Sequence, residues 1–202
     1  MTNNAVSKLS PNITTMIRMD HTHVVAVFHR FKTDTSPQKK LALVRNACLA
    51  LEVHAQLEEE IFYPALRGAP GVDEQVLEKS KPEHDEMKRL IAQLRTMPPD
   101  DPAFDDTFME LIRDVLHHVA DEETVLLPEA ERVLGDRLGE LGVQMTKRRL
   151  QLIAPHTGEL ALTTARSFPL VSVLVGAGTL LAAFMLARAI PRDPPRFTLV
   201  HD

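Results

Sequence analysis

The sequence predicts an all-α protein: an antiparallel up-down-up-down four-helix bundle with a helical extension and a C-terminal transmembrane helix. Three observations support this fold class. Apolar residues recur at three- and four-residue spacing in four segments of about twenty residues. Short loops rich in proline and glycine separate these segments, and no segment has the alternating pattern of a β-strand. One uncharged run near the C-terminus is long enough to cross a bilayer.

The composition excludes several classes of protein. Apolar residues make up 44% of the 202 residues and charged residues 25%, so the chain can bury a core and is not intrinsically disordered. The net charge of −5, without a basic stripe and interleaved aromatics, leads us to expect no nucleic-acid partner. The single Cys48 excludes an internal disulfide framework and indicates a reducing compartment or a fold that does not depend on thiols.

The first two helices form the first predicted hairpin. The first apolar stripe runs over residues 13–31. Ser36-Pro37 is a typical start signal for the second helix, whose stripe covers residues 41–61.

The third and fourth helices form the second predicted hairpin. The third stripe covers residues 77–94, and Pro82 is expected to kink or restart that helix just before His84. A proline-rich loop at 97–102 precedes the fourth stripe, which covers residues 104–126. We therefore assign residues 10–135 to the bundle.

The remainder of the chain predicts a membrane anchor. Residues 136–166 are expected to form a helical linker, 167–190 a transmembrane helix and 191–202 a short tail. The uncharged run at 168–187, FPLVSVLVGAGTLLAAFMLA, has the length of a bilayer-spanning helix, and a buried C-terminal helix is the alternative. A slight excess of Lys and Arg before the span predicts that the N-terminal domain faces the cytoplasm.

Two stretches repeat the same pattern of residues. Each reads His-x-x-x-Glu-Glu followed by a proline ten residues after the histidine: His54 to Pro64, and His118 to Pro128. His21 precedes His54 by 33 residues and His84 precedes His118 by 34, and each of these upstream histidines follows an acidic residue. The chain therefore contains an internal duplication with a period of about 64 residues.

The duplication predicts a buried metal site. Every helix of the bundle has a histidine on its apolar stripe, and residues four apart on a helix project from nearly the same face. A carboxylate on an apolar stripe costs several kcal/mol unless it is compensated, and no Lys or Arg occupies a matching position. A pair of divalent or trivalent cations would compensate it. The predicted ligands are His21, His54, Glu58, His84, His118 and Glu122.

Neighbouring polar residues receive other roles. His23 lies about 200° round its helix from His21, so we expect it to face outward or to contact a ligand. His117 and Asp121 also form an i,i+4 pair, but they lie off the stripe, and the duplication favours His118 with Glu122. Glu59, Glu60 and Glu123 are expected to be solvated or to partner the ligand imidazoles. Whether Glu59, Tyr63 or His23 enters the metal shell stays open. Three histidines are expected at the surface: His29, His156 and His201.

The ligand types indicate iron, manganese or zinc, and four histidines with two carboxylates favour two iron ions. Glu58 and Glu122 could bridge them together with an oxo or hydroxo group, which leaves a coordination position open. Ferritin-type bundles use Glu-x-x-His, which does not occur in this sequence.

The sequence resembles the hemerythrin-like HHE cation-binding family. The resemblance covers about residues 10–135 and lies in Asp20-His21, His54-x-x-x-Glu58-Glu59, Glu83-His84 and His118-x-x-x-Glu122-Glu123. It implies a non-haem di-iron site in an up-down-up-down bundle that handles dioxygen, peroxide or nitric oxide, or senses oxygen or iron. Oxygen-carrying hemerythrins have His-x-x-x-His on the third helix, whereas Lys88 lies four residues after His84 here. This departure argues against reversible dioxygen carriage.

Two function hypotheses follow. The leading hypothesis is a membrane-anchored di-iron protein that handles a small oxidant, with catalase-like or other redox turnover as an open question. The alternative is a non-enzymatic sensor or binding module for oxygen, nitric oxide or iron. Storage of another metal is a third possibility. Neither the physiological ligand nor the oligomeric state follows from the sequence.

Overall fold

The computed structural model describes residues 10–156, and all regular secondary structure in this part of the chain is helical. The all-α class is therefore confirmed for these residues. The helices are α1 (Ile13–Arg30), α2 (Pro37–Leu57), α3 (Tyr63–Leu66), α4 (Glu74–Thr96), α5 (Phe104–Asp121), α6 (Leu127–Leu134) and α7 (Arg137–Ile153). A π-helical turn, Glu58–Phe62, joins α2 to α3, and a second, Glu122–Leu126, joins α5 to α6. A 3₁₀ turn, Ala154–His156, follows α7.

The four long helices α1, α2, α4 and α5 alternate in direction around a shared core. One apolar cluster combines the end of α1 with the start of α2 and the end of α4 with the start of α5. Phe108 lies at its centre, with ring centroids 5.8 Å from Phe28 and 4.7 Å from Phe31. A second cluster joins the start of α1, the end of α2 and the start of α4 with the second π-helical turn and with α3, α6 and α7. The buried histidines and glutamates lie between the two clusters along the helices.

The duplication is visible in the structure as two similar halves. The first repeat (residues 13–66) comprises α1, α2, a π-helical turn and α3. The second repeat (residues 74–134) comprises α4, α5, a π-helical turn and α6. Asn12 caps α1 and Asp73 caps α4, each by accepting hydrogen bonds from backbone amides of the first helical turn.

The expected restart of the third helix at Pro82 is wrong. Helix α4 runs without interruption from Glu74 to Thr96 and contains Pro82. The proline cannot donate a hydrogen bond to the carbonyl of Glu78, four residues earlier. Pro82 and Glu78 are both exposed, so water can hydrate that carbonyl and the helix continues.

Helix α7, which includes much of the predicted linker, packs against α1 and α2 of the first repeat. Leu141, Gly142 and Met145 are buried on its inner face. The approach is close at Gly142, where an added Cβ would lie 2.1 Å from the carbonyl oxygen of Pro11. Glycine at this position therefore allows α7 to reach the backbone that precedes α1.

The predicted transmembrane helix and short tail lie outside the described residues, as does the end of the predicted linker. Within residues 10–156, no helix combines the length and the apolar composition that crossing a membrane requires.

Candidate metal centre

The structure brings all six predicted ligands together in the middle of the bundle. They form two overlapping groups whose ligand atoms lie within 4.8 Å of one another. One group contains His21, His54, Glu58 and Glu122, and the other contains Glu58, His84 and His118. Glu58 belongs to both groups. All six side chains are buried, and both glutamates have no exposed surface.

The two glutamates lie where the helices change from α to π geometry. Glu58 begins the π-helical turn of the first repeat, and Glu122 begins that of the second. In each turn the carbonyl of the glutamate accepts a hydrogen bond from the amide five residues later, at Tyr63 or Leu127. The wider turn sets the direction of the helix immediately after each ligand.

Proline explains why both turns form at the same place. Pro64 and Pro128 follow the respective glutamates by six residues. A proline has no amide hydrogen, and its ring clashes with the carbonyl four residues earlier, so a tight α turn is disfavoured there. The sequence contained this signal as the proline at the end of each repeated stretch, but the π-helical turns were not predicted.

Each ligand imidazole points one nitrogen inward. The Nε2 atom of His21 lies 3.2 Å from Glu122, and that of His54 lies 3.2 Å from Glu58. The Nε2 atoms of His84 and His118 lie 3.1 Å from each other. His118 Nε2 is also 3.6 Å from Glu122, so this glutamate lies near imidazoles of both repeats.

The outward nitrogen of each imidazole faces a carboxylate. The Nδ1 atoms pair with Glu123 at 2.8 Å (His21), Asp20 at 3.5 Å (His54), Glu59 at 3.0 Å (His84) and Glu83 at 2.8 Å (His118). An ionised carboxylate can only accept a hydrogen bond, so the three short contacts place the proton on Nδ1 and leave the Nε2 lone pair facing inward.

These contacts follow the duplication. Asp20 and Glu83, the acids that precede the first histidine of each repeat, hold the second histidine of the same repeat. Glu59 and Glu123, the acids that follow each buried glutamate, hold the first histidine of the other repeat. The predicted role of Glu59 and Glu123 as imidazole partners therefore matches the contacts observed. The same role for Asp20 and Glu83 was missed, although their position before each histidine was the signal.

The outer carboxylates pair in turn with basic side chains. The pairs are Asp20 with Arg149 (2.6 Å), Glu59 with Lys88 (2.5 Å), Glu83 with Lys79 (3.9 Å) and Glu123 with Arg18 (3.1 Å). The ligand set is thus enclosed by carboxylates, and the carboxylates by cations.

Tyr63, the single tyrosine of the chain, lies inside the centre. Its hydroxyl donates a hydrogen bond to Glu122 at 2.9 Å and lies 3.3 Å from both Glu58 and His84 Nε2. A buried phenol that reaches three candidate ligands can fix the orientation of the carboxylates or ligate a cation itself.

The unsatisfied polar atoms fit a cation site. Five buried atoms in the side chains of the predicted ligands lack a hydrogen-bond partner: His21 Nε2, both ring nitrogens of His54, Glu58 Oε1 and Glu122 Oε2. His84 and His118 face each other through Nε2 atoms that both carry lone pairs when Nδ1 holds the proton. Buried acceptors without donors are costly, and cations bound among them would remove that cost.

Without a bound cation, burial and the charges of neighbouring side chains shift the pKa values of the ligand residues in opposite directions. Burial, followed by the charge of Glu122, raises the pKa of Glu58 well above its usual value. Burial works the same way on Glu122, but the nearby imidazoles His118 and His21 outweigh it and hold the pKa of Glu122 below its usual range. Burial lowers the pKa of His54 to about 4. For His21, contact with Glu122 outweighs burial and raises the pKa to about 9. Without a cation, Glu58 therefore favours its protonated form and His21 its charged form, and bound cations would take the place of these protons.

A small cavity adjoins the imidazoles on the side of the main apolar core. Its volume is about 10 Å³, which is room for one water-sized molecule. Apolar side chains line most of it, and Lys88 and Asp20 also line it. Such a cavity can hold a single molecule of about the size of water.

The neighbouring residues lie apart from the centre. His23 is exposed and lies 3.2 Å from Asn46. His117 and Asp121 are 3.8 Å apart on the surface, where Lys79 also pairs with Asp121. Glu60 forms an ion pair with Arg148. His29 is exposed and His156 is partly exposed, whereas His201 lies outside the described residues.

Comparison with known proteins is consistent with this geometry. The hemerythrin HHE cation binding domain matches residues 12–130 of the chain. A crystal structure of a hemerythrin HHE cation binding domain-containing protein from Mycobacterium kansasii is similar in fold, with a TM-score of 0.60 and 20% identity. The similarity covers 80% of this chain and 96% of that protein.

A curated relative is much longer. A protein from a Nostoc species named DNA nickase is 35% identical over 119 residues. That region is 59% of this chain and 33% of the relative, so the chain spans about a third of that protein's length.

Proposed function

We propose that the centre of this chain holds two iron ions and handles a small oxidant. The chain belongs to the hemerythrin HHE cation-binding domain family, and the proposal starts from that membership. The oxidant would be peroxide, dioxygen or nitric oxide. Members of the family bind metal cations, and the ligand geometry of this chain supports the more specific proposal.

The convergence of the six buried ligands in two groups that share Glu58 carries this proposal. One ion would be held by His21 and His54, and the other by His84 and His118. Glu58 and Glu122 lie near imidazoles of both repeats, which is the position of bridging ligands. Imidazole and carboxylate ligands in this proportion suit iron.

The chain's own residues would select and orient the ligand. The apolar cavity admits one molecule of about the size of water and keeps bulk solvent away from the imidazoles. The Tyr63 hydroxyl can donate a hydrogen bond within the centre, and Lys88 places a positive charge in the lining of the cavity. A bound pair of iron ions would supply redox chemistry and the site for the small ligand.

Elemental analysis and optical spectroscopy of the purified protein would test the assignment. We expect about two iron ions per chain and an oxo-bridge charge-transfer band, both lost in the Glu58→Ala/Glu122→Ala variant. The control is Glu60→Ala, which removes an exposed acid of the same π-helical turn. Unchanged iron content and near-ultraviolet absorption in the double variant would refute the site.

A sensor or binding module is the second candidate. The observation that favours it is the docking of α7 on the first repeat, which connects the centre to the segment that follows. Turnover separates the two functions: rapid decomposition of peroxide supports an enzyme, whereas tight reversible binding without turnover supports a sensor.

We also propose that residues 168–187 anchor the protein in a membrane, with the metal domain on the cytoplasmic side. The support is the uncharged run of twenty residues and the excess of basic residues that precede it. Resistance to alkaline extraction from membranes, lost when residues 168–202 are removed, is the expected result. Release of the full chain by alkali would refute the anchor.

Nucleic-acid cleavage is not part of the proposal. The name of the Nostoc relative describes a protein of which this chain spans about a third. The net charge of −5 also disfavours binding to a phosphate backbone.

A further inference from the structure

In each repeat, a basic side chain pairs with the acid that precedes the first histidine. The two basic side chains come from different parts of the fold. In the second repeat, Glu83 holds His118 and is approached by Lys79 of the same helix, one turn earlier. In the first repeat, Asp20 faces His54, but the residue one turn earlier is the buried Met16. The cation that pairs with Asp20 comes instead from α7, as Arg149.

The contact between Arg149 and Asp20 has the geometry of a specific ion pair. Both terminal nitrogens of the guanidinium donate to Asp20, one to each carboxylate oxygen, at 2.6 Å. The two side chains are only 25% and 18% exposed, so solvent screens the pair less than it screens the surface pairs. Asp20 is therefore held in one orientation by a helix that lies outside the duplication.

His54 depends on that orientation more than the other imidazoles depend on their carboxylates. Its Nδ1 atom lies 3.5 Å from Asp20, and neither ring nitrogen has a hydrogen-bond partner. The other three ligand imidazoles have Nδ1 contacts of 3.0 Å or shorter. This contact with Asp20 is thus the longest of the four, and a small rotation of Asp20 would carry its carboxylate out of reach of His54 Nδ1.

The surroundings allow Asp20 to rotate if Arg149 is removed. A cavity of about 200 Å³ lies beside the pair and is lined by Asp20, Arg149, His23 and Asn46, together with apolar residues of α2 and α7. Loss of the guanidinium would enlarge this cavity beside the carboxylate of Asp20. Asp20 could then turn towards water or His23 instead of His54.

We propose that Arg149 is a positioning residue, through which α7 holds Asp20 against His54 and so controls how firmly the first repeat retains its metal ion. This inference rests on the proposed metal-binding function. It implies that the family domain of residues 12–130 needs the following helix to complete the shell around one half of its centre. It also gives the segment after α7 a route by which it could influence the metal.

The test compares two adjacent arginines of α7 in the full chain loaded with iron. Arg149→Ala is expected to release one of the two ions to a chelator about tenfold faster than wild type, the lower end of the effect of lost outer-sphere partners. Arg148→Ala is the matched control. Arg148 also donates through two nitrogens to a carboxylate, that of Glu60 in the first π-helical turn. Glu60 contacts Gln56 and none of the ligand residues. It should release iron at the wild-type rate.

Two further variants keep the test decisive. Arg149→Lys retains a cation without the paired hydrogen bonds and should release iron at an intermediate rate. Asp20→Asn should reproduce the fast phase while Arg149 is intact, even if Arg149→Ala folds poorly.

Three results bear on the proposal. Release of one ion about tenfold faster than in the wild type, with the other ion released at its wild-type rate, in Arg149→Ala or Asp20→Asn supports it. Release at the Arg148→Ala rate in these variants refutes it while leaving the proposed function intact. A wild-type protein that takes up no metal would overturn the proposed function and this inference together.

Discussion

The first and second repeats place the same ligands, the same π-helical turn and the same carboxylate partners around one centre, yet they are not equivalent. Tyr63 in the first repeat corresponds to Leu127 in the second, so one phenol hydroxyl serves both halves. Helix α7 packs on the first repeat, and Arg149 takes the role that Lys79 has in the second.

This difference shows how a duplicated scaffold can produce an asymmetric site. Duplication sets the ligand types and their spacing, and these are kept in both halves. The surroundings then differ, and contact with Glu122 raises the pKa of His21 whereas burial lowers that of its counterpart, His84. The two cation positions should therefore differ in affinity and in reactivity.

The largest effects should come from removing ligands one at a time. Glu58 belongs to both ligand groups, so Glu58→Ala should release both ions. Two single variants, His54→Ala and His118→Ala, each remove one imidazole from one ligand group. Each variant should retain about one ion per chain, and its affinity for the ion at the altered position should fall more than roughly 100-fold. Elemental analysis after dialysis against a chelator measures this. Loss of both ions in each histidine variant would show that the two positions fill cooperatively.

A smaller effect is expected from Tyr63→Phe. The change removes the hydrogen bond to Glu122 and leaves that buried carboxylate with one donor fewer. The free energy of unfolding of the metal-depleted protein should fall by about 2 kcal/mol, since the lost bond is to a charged group. Urea denaturation followed by circular dichroism measures it. An unchanged midpoint would mean that the hydroxyl does not support Glu122 in solution.

The docking of α7 on the first repeat can be tested with a pair of glycines in that helix. Gly142→Ala adds a methyl group that would meet the Pro11 carbonyl oxygen, and it should destabilise the protein by about 1–3 kcal/mol or displace α7. Gly139→Ala has open space around it and should stabilise the helix by about 1 kcal/mol. Thermal unfolding of the two variants gives the comparison. Equal shifts of the melting temperature would contradict the close contact.

Part of the centre could be predicted from the sequence, because the spacing of its ligands along each helix is a local property of the chain. Four histidines fall on apolar stripes, and two have a glutamate four residues later, which fixes their common face whatever the helices pack against. The outer carboxylates were harder to assign. Asp20 and Glu83 are next to one histidine in sequence but contact a different one in space. Such pairings depend on how neighbouring helices cross.

The course of the helices was only partly predictable. Pro82 looked like a break, but it lies on the exposed face of α4, where the freed carbonyl can be hydrated. Pro64 and Pro128 lie in the same kind of helical pattern, and there the backbone widens into a π-helical turn beside a buried ligand. All three prolines are exposed, so exposure alone does not separate these outcomes. The π-helical turns form where a buried glutamate lies six residues before the proline, and the burial of that glutamate depends on the packing of the bundle.

By itself the sequence determined the all-α class, the duplication and the identity of the six residues that converge, because each depends on residue type and helical spacing. Only the tertiary structure decided which carboxylate holds which imidazole, that Tyr63 serves both halves, and that Arg149 completes the first half. Apart from the contact between Tyr63 and Glu58, these contacts join residues from 21 to 129 positions apart in the chain. Their distances are set by packing, which no local pattern of residues specifies.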